Sequence, residues 1–242
     1  MNKSSLNRFI DKYTLGGEIK SVKWNSDGSS LRTRFISGDK SLVGEVKLDN
    51  FKEIEASEVG VYNTTQLVAL LNILGDDITF DYNKMGDKYV SVDMGDKNGT
   101  KSKYMLSDLS VIPSAPDLKN LPSEWDVEIE VDNHFISTFI NGKGALPDTD
   151  TFTIANSDGK VEVIIGFSNV QTNRVTIPVE AQVNGNFDIA SFNASMFASI
   201  LNANKECNKA VLKVSSQGIS TISFSIDDYT SVYFLVASQQ VN

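Results

Sequence analysis

Three pairs of acidic residues, Asp76-Asp77, Asp148 with Asp150, and Asp227-Asp228, have a spacing at which carboxylates can hold a divalent cation or share acid and base roles. Each pair lies in a loop beside a strand-like run, where aspartate is a common turn former and is mostly solvated. The chain has one histidine, His134, and one cysteine, Cys207. A transition-metal centre needs several such ligands together, and a catalytic triad or Cys–His pair needs its members in company. The expectation is therefore a protein that is not an enzyme, with no catalytic residue, no metal and no cofactor. Gly142-Lys143-Gly144 lacks the longer glycine spacing and the Lys-Ser/Thr ending of a phosphate loop. Asn63-Thr64-Thr65, Asn98-Gly99-Thr100 and Asn193-Ala194-Ser195 fit a glycosylation pattern, which carries little weight without a secretory signal.

The distribution of charge says more. The net charge is −9, against the basic balance usual for a protein drawn to nucleic acid by simple attraction. Four segments with helical periodicity, residues 5–13, 64–74, 133–143 and 194–205, nevertheless carry only one of the 31 acidic residues, Asp11. Glutamate is a good helix former, so surface helices ordinarily hold it freely. The basic residues here are Arg8, Lys12, Lys143 and Lys205, with Lys3 and Lys209 just outside, and the other polar positions are Asn, Ser, Thr and Gln. Arg8 and Lys12 lie one turn apart, opposite the apolar stripe of Leu6, Phe9 and Tyr13. Such a surface would not repel a polyanion. Its amides and hydroxyls can touch phosphates without reading sequence, and its few cations attract them weakly.

The elements that must position these helices occur twice. The segment Tyr62-Asn63-Thr64-Thr65-Gln66-Leu67, continuing to Leu71-Asn72, matches Phe192-Asn193-Ala194-Ser195-Met196-Phe197, continuing to Leu201-Asn202. Internal repeats of this kind decide the architecture. Asn63 and Asn193 stand where a helix N-cap is wanted, and Asp132 does the same before residues 133–143. Each half opens with a helix, which ends at Gly16-Gly17 in the first and near Gly142 and Gly144 in the second. Strands are expected at 19–24, 31–36, 42–48, 59–62, 78–82, 89–93 and 102–106, then at 152–155, 161–167, 175–179, 187–192, 210–214, 219–226 and 231–236. Gly86, Gly95, Gly99 and Gly218 are read as turns. Residues 111–123 hold three of the five prolines and read as an extended connector, dividing the chain into 1–110 and 124–242.

The segments Leu6 to Tyr13 with Gly16-Gly17, Val59-Gly60-Val61-Tyr62-Asn63 running into the second helix, the connector after Asp108-Leu109-Ser110, and residues 161–167 resemble a DNA sliding clamp of the T-even-like bacteriophage type, the DNA polymerase accessory protein. The resemblance is one of pattern over nearly the whole chain. It implies an α+β clamp fold: two similar domains, each with two helices packed on antiparallel sheets, assembling into a ring. It also implies a homotrimeric processivity factor that encircles double-stranded DNA without sequence specificity and tethers the phage DNA polymerase. A clamp loader and late-transcription factors are the further partners it implies.

On that footing Lys3, Arg8, Lys12, Lys143, Lys205 and Lys209 are the DNA-facing cations. Lys103, Tyr104 and Leu106 would meet Val175 and Ile177 of a neighbouring subunit, with Pro178, Lys101 and Lys103 marking edge strands. A partner peptide would lie on Leu42, Ile112, Pro113, Leu118, Leu121, Phe234 and Val236. The N-terminal residues lead straight into an amphipathic pattern, and no apolar run reaches the ~18–20 residues a membrane span requires. The host-cell cytoplasm is the expected location, with no membrane partner. The alternative is a phage structural protein, a β-rich tail or capsid component. It would share the acidity and strand content but has no need of helices cleared of acid.

Overall fold

The computed structural model of the chain describes residues 1–116, 121–122, 124–157, 159–168, 172–184, 187 and 189–238. Within these the chain forms two compact units. One holds Met1–Ser37, Gly44–Ala115 and Asp227–Ser231, and the other Gly38–Val43, Pro116–Ile226 and Val232–Asn242. Connector residues 117–120 and 123, Leu118 among them, lie outside the described residues.

In the first unit, α1 (Lys3–Thr14) is followed by β1 (Val22–Ser26), β2 (Leu31–Ile36), β3 (Leu42–Leu48, of which Leu42 and Val43 are counted with the second unit) and β4 (Ser57–Val61), then α2 (Thr64–Asn72), β5 (Ile78–Met85), β6 (Lys88–Asp96) and β7 (Lys101–Met105). The strands hydrogen-bond in the orders β3-β2-β1-β4 and β5-β6-β7. Helix α1 forms because Leu6, Phe9, Ile10 and Tyr13 recur on one face, and all four are fully buried. Their rings build the local core: Phe9 meets Tyr13 at 5.6 Å and Trp24 at 5.9 Å, both edge-on. The Asn2 side chain accepts from the Ser4 N–H, and that of Asn63 from the Gln66 N–H, so both helices are capped by short polar residues. Helix α1 ends differently from expectation. Leu15 takes the left-handed conformation at φ 49°, ahead of Gly16 at φ 75°.

The second unit runs β8 (Val127–Asp132), α3 (Asn133–Ala145), β9 (Thr151–Ser157), β10 (Lys160–Ile165), β11 (Val175–Pro178), β12 (Ala181–Val183), β13 (Ile189–Asn193), α4 (Ala194–Ala203), β14 (Lys209–Ser215), β15 (Ile219–Ile226) and β16 (Tyr229–Val236, of which Tyr229–Ser231 are counted with the first unit). Its sheet β11-β10-β9-β13 has the same strand order as β3-β2-β1-β4, and β14-β15-β16 repeats β5-β6-β7. Strands β8 and β12 extend that second sheet to β12-β8-β14-β15-β16 and were not expected from sequence. The counterpart of β8 in the first unit is the N-terminal stretch. Asn2 bridges Asp77, the Lys3 N–H donates to the Asp76 carbonyl at 2.7 Å, and the Ile78 N–H donates to that of Met1 at 2.9 Å.

Phe139 of α3, Phe152 of β9 and Phe197 of α4 pack at 4.7–5.1 Å in the centre of the second unit. Asp132 and Asn193 cap α3 and α4 as expected. Gly86, Gly99 and Gly218 have positive φ, as turn glycines do, whereas Gly95 lies inside β6, opposite Thr79 and Lys101.

Candidate nucleic-acid interface

The helix faces turned to solvent bear the acid-poor composition directly. On α2 the exposed residues are Thr65, Gln66, Ala69 and Asn72. On α3 they are Asn133, His134, Ser137, Asn141, Gly144 and Ala145, and on α4 Ser195 and Asn202. Asp11 is the sole carboxylate on any of the four helices. Each helix buries its apolar stripe on the sheets of its own unit, so what remains outward is amide, hydroxyl and small side chains.

The expected cations fare unequally. Lys12 is fully buried, with its ammonium 5.6 Å from the centre of the Tyr229 ring, so it does not face a channel. The reason is geometric: the turn Asp227–Ser231 packs on α1, and the Tyr229 hydroxyl donates to the Ser5 carbonyl at 2.9 Å, roofing the helix where a bare surface was expected. Arg8 lies over the same ring at 4.6 Å and pairs with Asp227 at 3.2 Å. The Lys3 ammonium donates to the Leu74 carbonyl at the end of α2. Lys143 donates to the Pro147 carbonyl at 2.8 Å, holding the end of its own helix. Lys209 pairs with Glu130 at 2.8 Å across β14 and β8. Lys205 is exposed and has no hydrogen-bond or ion-pair partner among the described residues.

Between α3 and α4 lies an open groove of about 420 Å³, lined by Asn133, Ile136, Ser137, Ile140, Asn141, Asn202, Lys205 and Glu206. Sequence reasoning singled out Lys205 but passed over Asn141 and Asn202. The available signal was their spacing on the polar face of each helix.

The strands expected at a subunit joint, β7 and β11, each end a sheet. Two of the five side chains chosen there point the wrong way. Tyr104 is 3% exposed, and its hydroxyl accepts from the Asn63 N–H at 3.0 Å and reaches the Asn63 carbonyl, bracing the start of α2. Ile177 is 4% exposed, and an aspartate there would disrupt its own unit before any assembly. Both follow from strand alternation: inward residues of an edge strand belong to the core. Lys103 is exposed and pairs with Asp93 at 3.3 Å, and Leu106 and Val175 are half-buried.

The residues chosen for a peptide pocket divide similarly. In the first unit Ile112 is buried against Gly60, while Pro113 is exposed. In the second unit Leu42 is fully buried, Leu121 and Phe234 are half-buried, and Val236 is 48% exposed. The Val236 N–H donates to the Ser41 carbonyl at 2.8 Å, which sets β16 beside the residue preceding Leu42. Leu42 and Ile112 therefore serve as packing, not as contact surface.

The acidic pairs behave as turn residues. Asp77 is paired with Lys97, Asp227 with Arg8, and Asp228 accepts from the Asn50 side chain at 2.9 Å. Cys207 is buried, with its thiol directed at the Lys209 carbonyl at 3.1 Å. Among the described residues no three His, Cys, Asp or Glu side chains converge to hold a metal, and no helix is long and apolar enough to cross a membrane.

No protein-family model matches the sequence, and no curated protein matches it. Solved structures do. The chain is similar to the Proliferating Cellular Nuclear Antigen from Entamoeba histolytica with a TM-score of 0.73 and 15% identity, covering 98% of this chain and 96% of that one. At that identity the likeness concerns the fold, and the chain has the α+β clamp fold: two similar halves, each with two helices packed on antiparallel sheets.

Proposed function

We propose that this protein is a sliding clamp that encircles double-stranded DNA and tethers a replicative DNA polymerase for processive synthesis. The observation that carries the reading is the clamp fold over 98% of the chain combined with four helices that hold one carboxylate between them. In this reading the helices line the hole and the sheets lie outside. The ring is a homotrimer closed by head-to-tail joints between the edge strands β7 and β11, as cyclic assembly requires two different surfaces. Lys103 supplies an outward group at those joints, and half-buried Leu106 and Val175 remain candidates for their margins. Pro113, Leu121, Phe234 and Val236 remain as candidates for the partner-peptide surface, with Leu118. Bacteriophage origin, a clamp loader, late-transcription factors and the host cytoplasm complete the proposal, on the strength of the sequence resemblance.

The test is assembly plus activity. Light scattering should give three times the 26.5 kDa chain mass, and particle images should show a ring with a central hole. On primed circular DNA the protein should lengthen the products of its cognate polymerase when the loader is present. A monomeric particle with no effect on product length would refute the proposal and would favour the tail or capsid alternative.

A further inference from the structure

Beside the hairpin of β5 and β6 the first unit builds a small aromatic cavity that the clamp reading does not use. Phe80 and Tyr82 stack with ring centres 6.2 Å apart, and Tyr89 meets Tyr82 edge-on at 5.8 Å. With Glu53, Glu55 and Lys84 they line an open space of about 370 Å³. Small-ligand sites run from about 300 to 1,000 Å³, so this one suits a single side chain. The chain already keeps a cation there: the Lys84 ammonium lies 4.5 Å from the centre of the Tyr89 ring and pairs with Glu55. We propose that the cavity is a binding site for an arginine side chain of a partner protein, and that Lys84 is a displaceable occupant which the incoming guanidinium replaces.

The cage exists because β5 and β6 fall out of register. Tyr82 stands opposite Val92 and Asn83 opposite Ser91, but Lys84 stands opposite Tyr89, so Val90 is an extra residue in β6. Strict alternation would put Tyr89 on the side of Ser91 and Asp93. The bulge turns it to the side of Tyr82 and Lys84. Bulges that re-aim a side chain in this way recur beside functional sites.

The cage offers more than Lys84 uses. The Tyr89 hydroxyl donates to Glu55 Oε1 at 2.7 Å, and Lys84 pairs with that same oxygen. Glu55 Oε2 and the Tyr82 hydroxyl have no hydrogen-bond partner among the described residues. Glu53 meets the Met1 amino group at 3.5 Å through Oε1. Lys84 and Tyr89 hold the Glu55 carboxyl below the usual carboxylate range, so it is charged at neutral pH. An ammonium is a compact charge with three donors, whereas a guanidinium is flat, stacks on a ring and carries five donors in a fixed fork. It can lie on a tyrosine and still have N–H groups for the oxygens that Lys84 leaves open. With Lys84 swung out, two carboxylates face only the Met1 amino group, and the arriving arginine restores the balance. The net charge of −9 favours the approach of such a basic partner. Strands β5 and β7 are opposite ends of their sheet, so the site is separate from the joint proposed at β7 and does not depend on the clamp reading.

The test uses the full chain and Nα-acetylarginine methylamide as the probe, titrated at 50 mM sodium chloride while the Tyr82 and Tyr89 ring signals are followed by nuclear magnetic resonance. Lys84→Ala empties the cage. The exposed ion pair and cation–π contact it removes correspond together to about three- to thirty-fold, so this variant should bind the probe more tightly than wild type by that factor. Adding Glu55→Gln to Lys84→Ala should weaken binding about ten-fold, with the circular dichroism spectrum unchanged. Nα-acetyllysine methylamide and tetramethylammonium should bind Lys84→Ala several-fold more weakly than the arginine probe. Equal affinity in wild type and Lys84→Ala would overturn the displacement. Ring signals that do not move in Lys84→Ala, no loss on adding Glu55→Gln, or an equal response to all three probes would each overturn the arginine site.

Discussion

Lys12 decides whether the first helix of the chain faces a channel or a roof. Its side chain is fully buried, with the ammonium 5.6 Å from the Tyr229 ring centre, and Tyr229 is tied to α1 through the Ser5 carbonyl. Lys12→Glu places a carboxylate against the negative face of that ring, in a site closed to water. Reversal of a buried, compensated charge costs about 3–5 kcal/mol. For a chain of this size that is a fall in melting temperature of about 6–20 °C. Lys12→Met keeps most of the apolar stem and removes the cation–π contact, at a cost of about 1–2 kcal/mol. Thermal and urea unfolding followed by circular dichroism, with wild type, Lys12→Met and Lys12→Glu at one protein concentration, give the ranking directly. A Lys12→Glu protein that melts within about 2 °C of wild type would refute the buried placement and return Lys12 to the solvent-facing role expected from helical spacing alone.

Three further outcomes follow from contacts in the same units. Gly44→Ala should cost about 1–3 kcal/mol in urea unfolding, because a Cβ there would lie 2.3 Å from the Phe35 ring, itself 2% exposed, and Phe35→Leu in that background should recover part of the loss. Tyr104→Phe should lower stability by about 1–2 kcal/mol through the unpaired Asn63 N–H while leaving the oligomeric mass unchanged, since its hydroxyl serves α2 and not a neighbour. Asp96 accepts from the backbone N–H groups of Gly75, Asn98 and Thr100, which hold its carboxyl below the usual range. Its folded pKa is depressed, so its contribution is complete above about pH 4 and is lost as pH falls through the folded value; Asp96→Asn should flatten that limb of the acid-unfolding curve.

The repeat was legible in the sequence because its carriers are residues with local jobs. Asn63 and Asn193 cap helices, and Leu67 and Phe197 begin apolar stripes, so their types are fixed by short-range physics. Strands β8 and β12 were missed for the opposite reason. Val127–Asp132 is a strand because β14 lies beside it, and three residues such as Ala181–Val183 acquire a partner only in three dimensions. The site was read less well than the fold. Helical spacing placed Arg8 and Lys12 correctly on the side away from Leu6 and Phe9, but no local rule announces that residues 227–231, more than two hundred positions later, cover that side. Edge strands were found through Lys101, Lys103 and Pro178, yet alternation within those strands sends Tyr104 and Ile177 inward. Charge type alone also says nothing of whether a lysine is spent on a carbonyl, as Lys3 and Lys143 are.

The start of the connector depends on a glycine that sequence patterning treats as an ordinary strand residue. Gly60 bridges Ser107, whose N–H donates to the Gly60 carbonyl at 2.9 Å, and a Cβ on Gly60 would stand 2.4 Å from the Ser107 carbonyl oxygen and 2.9 Å from the Ile112 side chain. One of those neighbours is backbone, so it cannot swing aside, and the strand must part from the connector or bend. Parting costs one backbone hydrogen bond and the burial of Ile112, together about 2–4 kcal/mol, but only locally. Gly60→Ala should therefore retain the wild-type circular dichroism spectrum while the Ser107 and Ile112 amides lose most of their protection against hydrogen exchange. Amides of β1, paired with β4 on its other side, should keep theirs. If partner peptides use the exposed residues that follow, Pro113 first among them, their affinity should fall with the protection, because the surface would have to be ordered anew at each encounter. Unchanged exchange at Ser107 in a folded Gly60→Ala protein would show that the close approach is not what anchors the connector.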